Sequence, residues 1–388
     1  LSGRNADLCD YACFLGAGAY NHFIPATVPH LAFRSEFYTS YTPYQAEISQ
    51  GTLQTIFEYQ SMICDLTGMD AANASHYDGA TATAEAAILA VNSFRDRDKI
   101  VVAPTLHPQY RQTLRTYLEG QDVPIVGDED LTASLDAVLE RHLDNKTAGV
   151  IVQNPDFIGE VRDLRAAADR VHAAGALFIV SAYPIALGLY QPPGEYGADV
   201  VVGEGQPLGN SIAFGGPYLG IFATKEKYIR RMAGRLVGQT TDTQGRRGFV
   251  LTLQAREQHI RREKATSNIC TNEALNALAA AIYLATMGKT GLRKVAELCY
   301  QKAHYAAKQI DAIPGYRVNS KEFFNEFIVE CPRPVAEINR ALNENKIIGG
   351  YDLHKDYPQL ANSMLVAVTE LNPREQIDAF VSALREVA

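Results

Sequence analysis

The chain has 388 residues, of which 47% are hydrophobic and 21% are charged, and its formal net charge is -8. The composition is typical of a globular protein. The length suits one large domain and a smaller one. The acidic excess argues against binding to nucleic acid or to an anionic membrane, because both need a basic surface. No apolar run is long enough to span a bilayer and no secretory signal is visible, so we expect a cytoplasmic location.

The first elements in chain order are an extended arm and two helices. Residues 1–45 are rich in aromatic residues, proline and small residues, which predicts an N-terminal arm with little regular structure. From Glu47 onward apolar residues recur at helical intervals until Gly68, which is a typical helix stop. The segment 78–94 predicts a second helix.

Short β-branched runs then alternate with segments of helical pattern. Fully apolar strands separated by helices indicate a mostly parallel sheet covered on both faces, so we predict an α/β large domain over residues 46–285. A helix is predicted over 160–175. The predicted strands are 100–104, 149–154, 176–181, 198–204 and 219–224.

The C-terminal part mixes helices with short strands. Helical patterns cover 271–288 and 289–312, and the last helix is predicted over 373–387 with Pro373 at its start. Short strands are predicted at 325–331 and 363–370. We therefore predict a small α+β domain over residues 286–388.

The turn Gly79-Ala80-Thr81 opens the second helix and has two interpretations. Small residues at a helix N-terminus let backbone N–H groups approach an anion, which outlines a phosphate-binding turn. The alternative is an ordinary helix start with Asp78 as N-cap, and the Asp78 carboxylate would repel a phosphate.

The predicted strand ends lack two groups that a pyridoxal-phosphate enzyme of this architecture needs. Such an enzyme places an acid against the pyridinium nitrogen and a lysine that forms the Schiff base. Ser181 stands where the acid is expected, and the loop 203–217 contains Gln206 but no lysine. A glutamine cannot form an imine. The nearest lysines are Lys225, Lys227 and Lys264, of which Lys225 and Lys264 are the alternatives.

Two clusters of polar aromatic residues lie in the arm. Such residues can line a pocket or an interface, because they are rigid and carry one polar tip. The alternative is packing of the arm onto the chain's own core. The candidate residues are Tyr20, Asn21, His22, Tyr44 and Gln45.

The six cysteines form no CxxC pair and show no metal-ligand spacing, so we predict reduced thiols and no metal site. Serine-hydrolase, zinc-protease and nucleotide-loop motifs are also absent from the sequence.

Several long runs resemble one protein family. The chain is similar to subunit 1 of the two-subunit P-proteins of the glycine cleavage system, the decarboxylating glycine dehydrogenases. The resemblance covers nearly the whole chain and rests on segments 14–28, 41–70, 76–87, 191–209, 261–275 and 348–353. It implies the fold of aspartate aminotransferase, fold type I of the pyridoxal-phosphate transferases.

The resemblance also implies a function. With subunit 2 the family decarboxylates glycine on pyridoxal phosphate (PLP) and passes the aminomethyl group to the lipoyl arm of H-protein. It implies that subunit 2 binds PLP covalently and that this chain does not. We therefore expect an inactive isolated chain that can form a homodimer, arm residues that face the partner's cofactor, and a vestigial phosphate loop at Gly79–Thr81. The alternative is a self-sufficient PLP-dependent decarboxylase or aminotransferase that uses Lys264 or Lys225.

Overall fold

A computed structural model describes residues 10–213 and 215–388 of the chain. These residues divide into two compact units. Unit 1 comprises residues up to Phe23, Pro155–Arg162 and Arg293–Ala388, and unit 2 comprises Ile24–Asn154 and Asp163–Leu292. The predicted arm is thus divided between the units, and its first nine residues lie outside the described part.

Each segment predicted as helical contains a helix, and the structure has further helices that the sequence analysis did not predict. The long helix near residue 290 is interrupted at Gly288, where the backbone is not helical. The helices are α1 Thr27–Ala32, α2 Ser35–Tyr38, α3 Gln50–Thr67, α4 Gly79–Ser93, α5 Pro108–Leu118, α6 Leu135–His142, α7 Arg165–Ala173, α8 Gln258–Arg261, α9 Ala274–Asp311, α10 Val335–Glu344 and α11 Arg374–Val387.

The strands include all seven that the sequence predicts, and several short ones that it does not. They are β1 Ala12–Cys13, β2 Ala71–Ala72, β3 Lys99–Val102, β4 Ile125–Val126, β5 Thr147–Asn154, β6 Leu177–Ala182, β7 Val200–Glu204, β8 Gly220–Thr224, β9 Leu236–Thr241, β10 Arg247–Thr252, β11 Arg317–Val318, β12 Glu326–Glu330, β13 Ile347–Ile348, β14 Tyr351–Asp352 and β15 Ser363–Ala367.

Unit 2 is built on a seven-stranded sheet with the order β2-β8-β7-β6-β5-β3-β4. Strands β7, β6, β5, β3 and β4 are parallel to their neighbours in that series, whereas β8 runs antiparallel to β7. β6 is buried along its whole length, as expected for a strand with both faces covered. The mostly parallel sheet confirms the predicted α/β class of this part.

Unit 1 contains a four-stranded antiparallel sheet with the order β11-β12-β15-β14, and β1 pairs with β13 beside it. The arm contributes to this core, because the ring of Phe14 stacks on that of Phe380 with centroids 4.3 Å apart. Both rings are fully buried. Helices and antiparallel strands together confirm the predicted α+β character of the C-terminal part.

Local details follow from single residues. α3 ends at Gly68, which is left-handed with φ 69°, as the sequence predicts. The arm is less extended than predicted, because α1 and α2 form within it. α2 is only four residues long and buries none of them, so no amphipathic period marks it in the sequence.

Every helix in the described part is too short or too polar to cross a membrane.

Candidate active-site region

The parallel strands of unit 2 bring the candidate residues to one edge of the sheet. The carboxyl ends of parallel strands meet at the same edge, which is where α/β proteins bind ligands. Gln153 on β5 is level with Ser181 on β6, and Glu204 ends the neighbouring strand β7. The edge therefore carries an amide, a hydroxyl and a carboxyl group in sequence.

Helix α4 begins with a complete capping box. The side chain of Asp78 accepts a hydrogen bond from the Thr81 N–H at 2.7 Å, and the Thr81 hydroxyl accepts one from the Asp78 N–H at 3.1 Å. This arrangement satisfies two of the N–H groups that a helix start leaves free. The predicted N-cap role of Asp78 is confirmed.

The carboxyl group of Glu204 fills the space in front of the helix start. Its Oε2 accepts a hydrogen bond from the Gly79 N–H at 3.0 Å. Its Oε1 accepts two more, from the N–H groups of Gln206 at 2.9 Å and Leu219 at 3.0 Å. These three backbone donors surround the carboxyl group as they would surround a bound anion. Burial raises the pKa of Glu204 to about 8, whereas the three backbone donors lower it.

Aromatic residues close the same turn. A side chain added at Gly79 would place its Cβ 2.3 Å from the hydroxyl oxygen of Tyr110, so the turn has no spare room. The ring of Tyr110 stacks on that of His107 with centroids 4.8 Å apart. The sequence analysis missed Glu204, His107 and Tyr110. The signal for Glu204 was present, since it is a carboxylate that ends a buried strand.

The loop after β7 holds its own polar groups internally. Gln206 is 1% exposed, and its side-chain amide donates to the carbonyl of Asn210 at 2.7 Å. These residues do not fit PLP: the loop offers no lysine, Ser181 is not an acid, and a carboxyl group faces the α4 N-terminus where a phosphate would lie.

The two alternative lysines differ in position. β8 is antiparallel, and its last residue, Thr224, is level with Val200 at the amino end of β7. Lys225 therefore lies at the opposite edge of the sheet from Glu204, and it donates to the carbonyl of Gly194 at 3.1 Å. Lys264 is exposed on a single 3-10 turn.

In unit 1 two arm candidates pair with carboxylates of the C-terminal part. The Tyr20 hydroxyl donates to Glu326 at 2.6 Å, and His22 Nδ1 lies 2.7 Å from Glu370. His22 is only 4% exposed, whereas Asn21 between them is exposed. Tyr20 and His22 thus contact carboxyl groups of their own chain, and their predicted place at the partner's cofactor stays a prediction.

His22, Glu370 and Cys299 form the one group of potential metal ligands found among the described residues. The Cys299 thiol donates to Glu370 Oε2 at 3.2 Å, and His22 binds the same oxygen. These contacts have hydrogen-bond lengths, so one carboxylate oxygen links the imidazole and the thiol.

The other two arm candidates lie in unit 2. Tyr44 is 53% exposed, and its hydroxyl accepts a hydrogen bond from Arg235 Nη2 at 3.3 Å. Gln45 is exposed beside it. The structure thus places Tyr20, Asn21 and His22 in one unit and Tyr44 and Gln45 in the other.

Known proteins similar to this chain point to one family. The family model described as "Glycine cleavage system P-protein" matches residues 4–384. The "Probable glycine dehydrogenase (decarboxylating) subunit 1" of Thermomicrobium roseum is 57% identical, and the match covers 99% of this chain and 87% of that protein. The protein of the same name from Moorella thermoacetica is 56% identical, with 100% and 87% covered.

Solved structures give the same result for the fold. A crystal structure of an inhibitor-bound glycine decarboxylase (P-protein) of the glycine cleavage system matches with a TM-score of 0.91 and 44% identity, covering 100% of this chain and 87% of that one. The apo cysteine desulfurase of Thermococcus onnurineus matches with a TM-score of 0.70 at 14% identity, over 98% and 95% of the two chains. The predicted fold type I architecture is confirmed.

Proposed function

The chain belongs to the glycine cleavage system P-protein family, and we propose that it is the subunit of glycine decarboxylase that does not anchor PLP. Together with subunit 2 it decarboxylates glycine in the cytoplasm and passes the aminomethyl group to the lipoyl arm of H-protein. The partner holds the cofactor covalently, and this chain completes the site and shapes its entrance.

The observation that carries this proposal is the internal carboxyl group at the strand ends. The Glu204 carboxyl group accepts from the first N–H of α4 and from two N–H groups of the loop between β7 and β8, and this loop has Gln206 and no lysine. An enzyme that used PLP on this chain would need both positions for the cofactor. The turn Gly79–Thr81 is then a vestige of a phosphate site.

Exposed apolar residues of unit 2 support a partner. Large apolar patches on a surface mark interaction sites, and a continuous segment of this chain carries five large exposed side chains. They are Phe33 at 65%, Tyr38 at 57%, Tyr41 at 84%, Tyr44 at 53% and Ile48 at 76%. We propose that this segment, including Tyr44 and Gln45, contacts subunit 2, and that a homodimer of the isolated chain uses the same surface.

Reconstitution tests the proposal. Each chain alone, and the mixed pair, are incubated with PLP, glycine and lipoylated H-protein, and CO2 release is measured. We expect release from the pair only, and after borohydride reduction we expect the pyridoxyl group on subunit 2. Turnover by this chain alone, with a pyridoxyl group on one of its lysines, would refute the proposal.

A matched pair of variants tests the proposed contact surface. Tyr41→Ala removes the most exposed aromatic of the segment, and Leu189→Ala removes an exposed apolar side chain outside it. We expect Tyr41→Ala to weaken association with subunit 2 by about tenfold, which is a typical loss for an interface aromatic. Leu189→Ala should leave the dissociation constant unchanged, and equal effects of both variants would contradict the assignment.

The self-sufficient enzyme is the disfavoured alternative. Lys225 lies at the wrong edge of the sheet for the strand-end site, and the named relatives are subunits of a glycine dehydrogenase.

A further inference from the structure

A small polar cavity lies in unit 2, apart from the residues around Glu204. It has a volume of about 20 Å³, which is enough for one or two water-sized groups, such as the two oxygen atoms of a carboxylate. Two arginines and one glutamate line it, namely Arg235, Arg256 and Glu257. Thr266, Ser267 and Thr271 belong to the same wall.

The guanidinium of Arg235 is held rigidly beside this cavity. The residue is 3% exposed, and its Nη1 donates to Thr271 at 3.2 Å and to Asn272 at 3.1 Å. Its Nη2 donates to the Cys270 carbonyl at 2.9 Å and to the Tyr44 hydroxyl. Every one of these partners is uncharged, so Arg235 forms no salt bridge with a described residue, and Glu257 is the one carboxylate among the described lining residues.

The lining groups retain unused hydrogen-bonding capacity. The Nε atoms of Arg235 and Arg256 are buried and donate to no described residue, and Glu257 Oε1 is buried and accepts from none. Arg256 uses Nη2 for the Gly234 carbonyl at 2.7 Å, and burial lowers the pKa of its guanidinium. A buried N–H without a partner costs free energy, and a buried cation without a counterion costs more.

We infer that this cavity binds a carboxylate-sized oxyanion between Arg235 and Arg256. Two guanidinium groups with free Nε donors suit a planar anion that accepts from both. The cavity volume favours a carboxylate head over a larger tetrahedral anion. Glu257 contributes one opposing charge, which leaves the cavity with a net positive charge and moderates its affinity.

The experiment measures the thermal unfolding midpoint of the full-length chain in sodium formate, sodium phosphate and sodium chloride at equal ionic strength. A ligand that binds only the folded state raises the midpoint by mass action. We expect a saturable rise of about 2–4 °C in formate, relative to chloride. Equal midpoints in formate and chloride would overturn the inference, and so would a rise in phosphate without one in formate.

Three variants separate binding from structure. Arg256→Gln should abolish the formate response, and Glu257→Gln should strengthen it, because the opposing charge is removed. Arg261→Gln is the matched control, since Arg261 is exposed and lies outside the cavity lining. Opposite shifts from neighbouring substitutions cannot arise from loss of folding. A formate response that survives in Arg256→Gln would refute the site, and this test needs neither subunit 2 nor turnover, so it is independent of the proposed function.

Discussion

Replacement of Glu204 tests how much its carboxyl group stabilises the chain by accepting from three backbone N–H groups. Glu204→Ala leaves the N–H groups of Gly79, Gln206 and Leu219 without their partner. An unpaired buried donor costs about 1–3 kcal/mol, so the free energy of unfolding should fall by at least about 3 kcal/mol. In Glu204→Gln the amide oxygen can still accept from two of the donors, but the NH2 group faces the third. This substitution should therefore lower the free energy of unfolding by about 1–3 kcal/mol.

The pH dependence gives a second signature. The pKa of Glu204 is raised from 4.5 to about 8 on folding, since burial disfavours the charged form. The stability linked to this group is therefore fully present below pH 4.5 and is lost as the pH rises through 8. Its full loss amounts to at most about 5 kcal/mol. Glu204→Gln cannot titrate, so its stability should fall less than that of the wild type between pH 5 and 8.5.

Urea unfolding followed by circular dichroism measures both quantities. Added formate should stabilise Glu204→Ala by more than it stabilises the wild type, because a free anion can also reach the three donors, whereas Glu204→Gln should gain no more than the wild type. The reasoning fails if Glu204→Gln keeps the wild-type pH slope, or if Glu204→Ala unfolds at the wild-type urea concentration.

Two further predictions concern unit 1. Gly16 has φ 54°, and a Cβ there would lie 2.3 Å from the Cβ of Ala367, so Gly16→Ala should lower the free energy of unfolding by about 1–3 kcal/mol in thermal denaturation. Gly51→Ala is its control, because a Cβ added at Gly51 on helix α3 would meet no atom within 4 Å. This substitution should leave the free energy of unfolding unchanged or raise it. Burial raises the pKa of Glu370, but the hydrogen bond and charge of His22 bring it below its ordinary value. The stability from this pair is present above pH 4.5 and lost as the pH falls through the lowered pKa, so the difference between wild type and His22→Ala should shrink between pH 6 and 3, and a constant difference would contradict the pairing.

The order of the main strands and helices could be predicted from the sequence, because the central strands are wholly buried. Runs such as Leu177–Val180 of β6 are continuously apolar and are bounded by helical patterns. The hairpin β9–β10 was missed, since its outer end carries exposed Gln and Thr residues and its apolar runs are only Leu236–Val237 and Phe249–Leu251. Helix α5 was missed too. It is mostly polar, and its amphipathic pattern extends over only three turns.

The sequence predicted that the site lacks a lysine, but it did not predict that the Glu204 carboxyl group lies there. The absence of a lysine after β7 is a property of the sequence itself. The bond from Gly79 to Glu204 joins residues 125 positions apart, and that from Tyr20 to Glu326 joins residues 306 apart. Local pattern carries no information on such pairings, which the packing of strands and arm determines.

A carboxyl group fixed to the chain is a competitor that never diffuses away. Its effective concentration at the α4 N-terminus is set by the geometry of β7 and not by the solution around it. A lysine introduced at position 206 could supply an amine, yet the incoming phosphate would still have to displace Glu204 from all three donors. A PLP site on this chain would thus require at least two coordinated changes, because a new amine alone would leave Glu204 on the three donors.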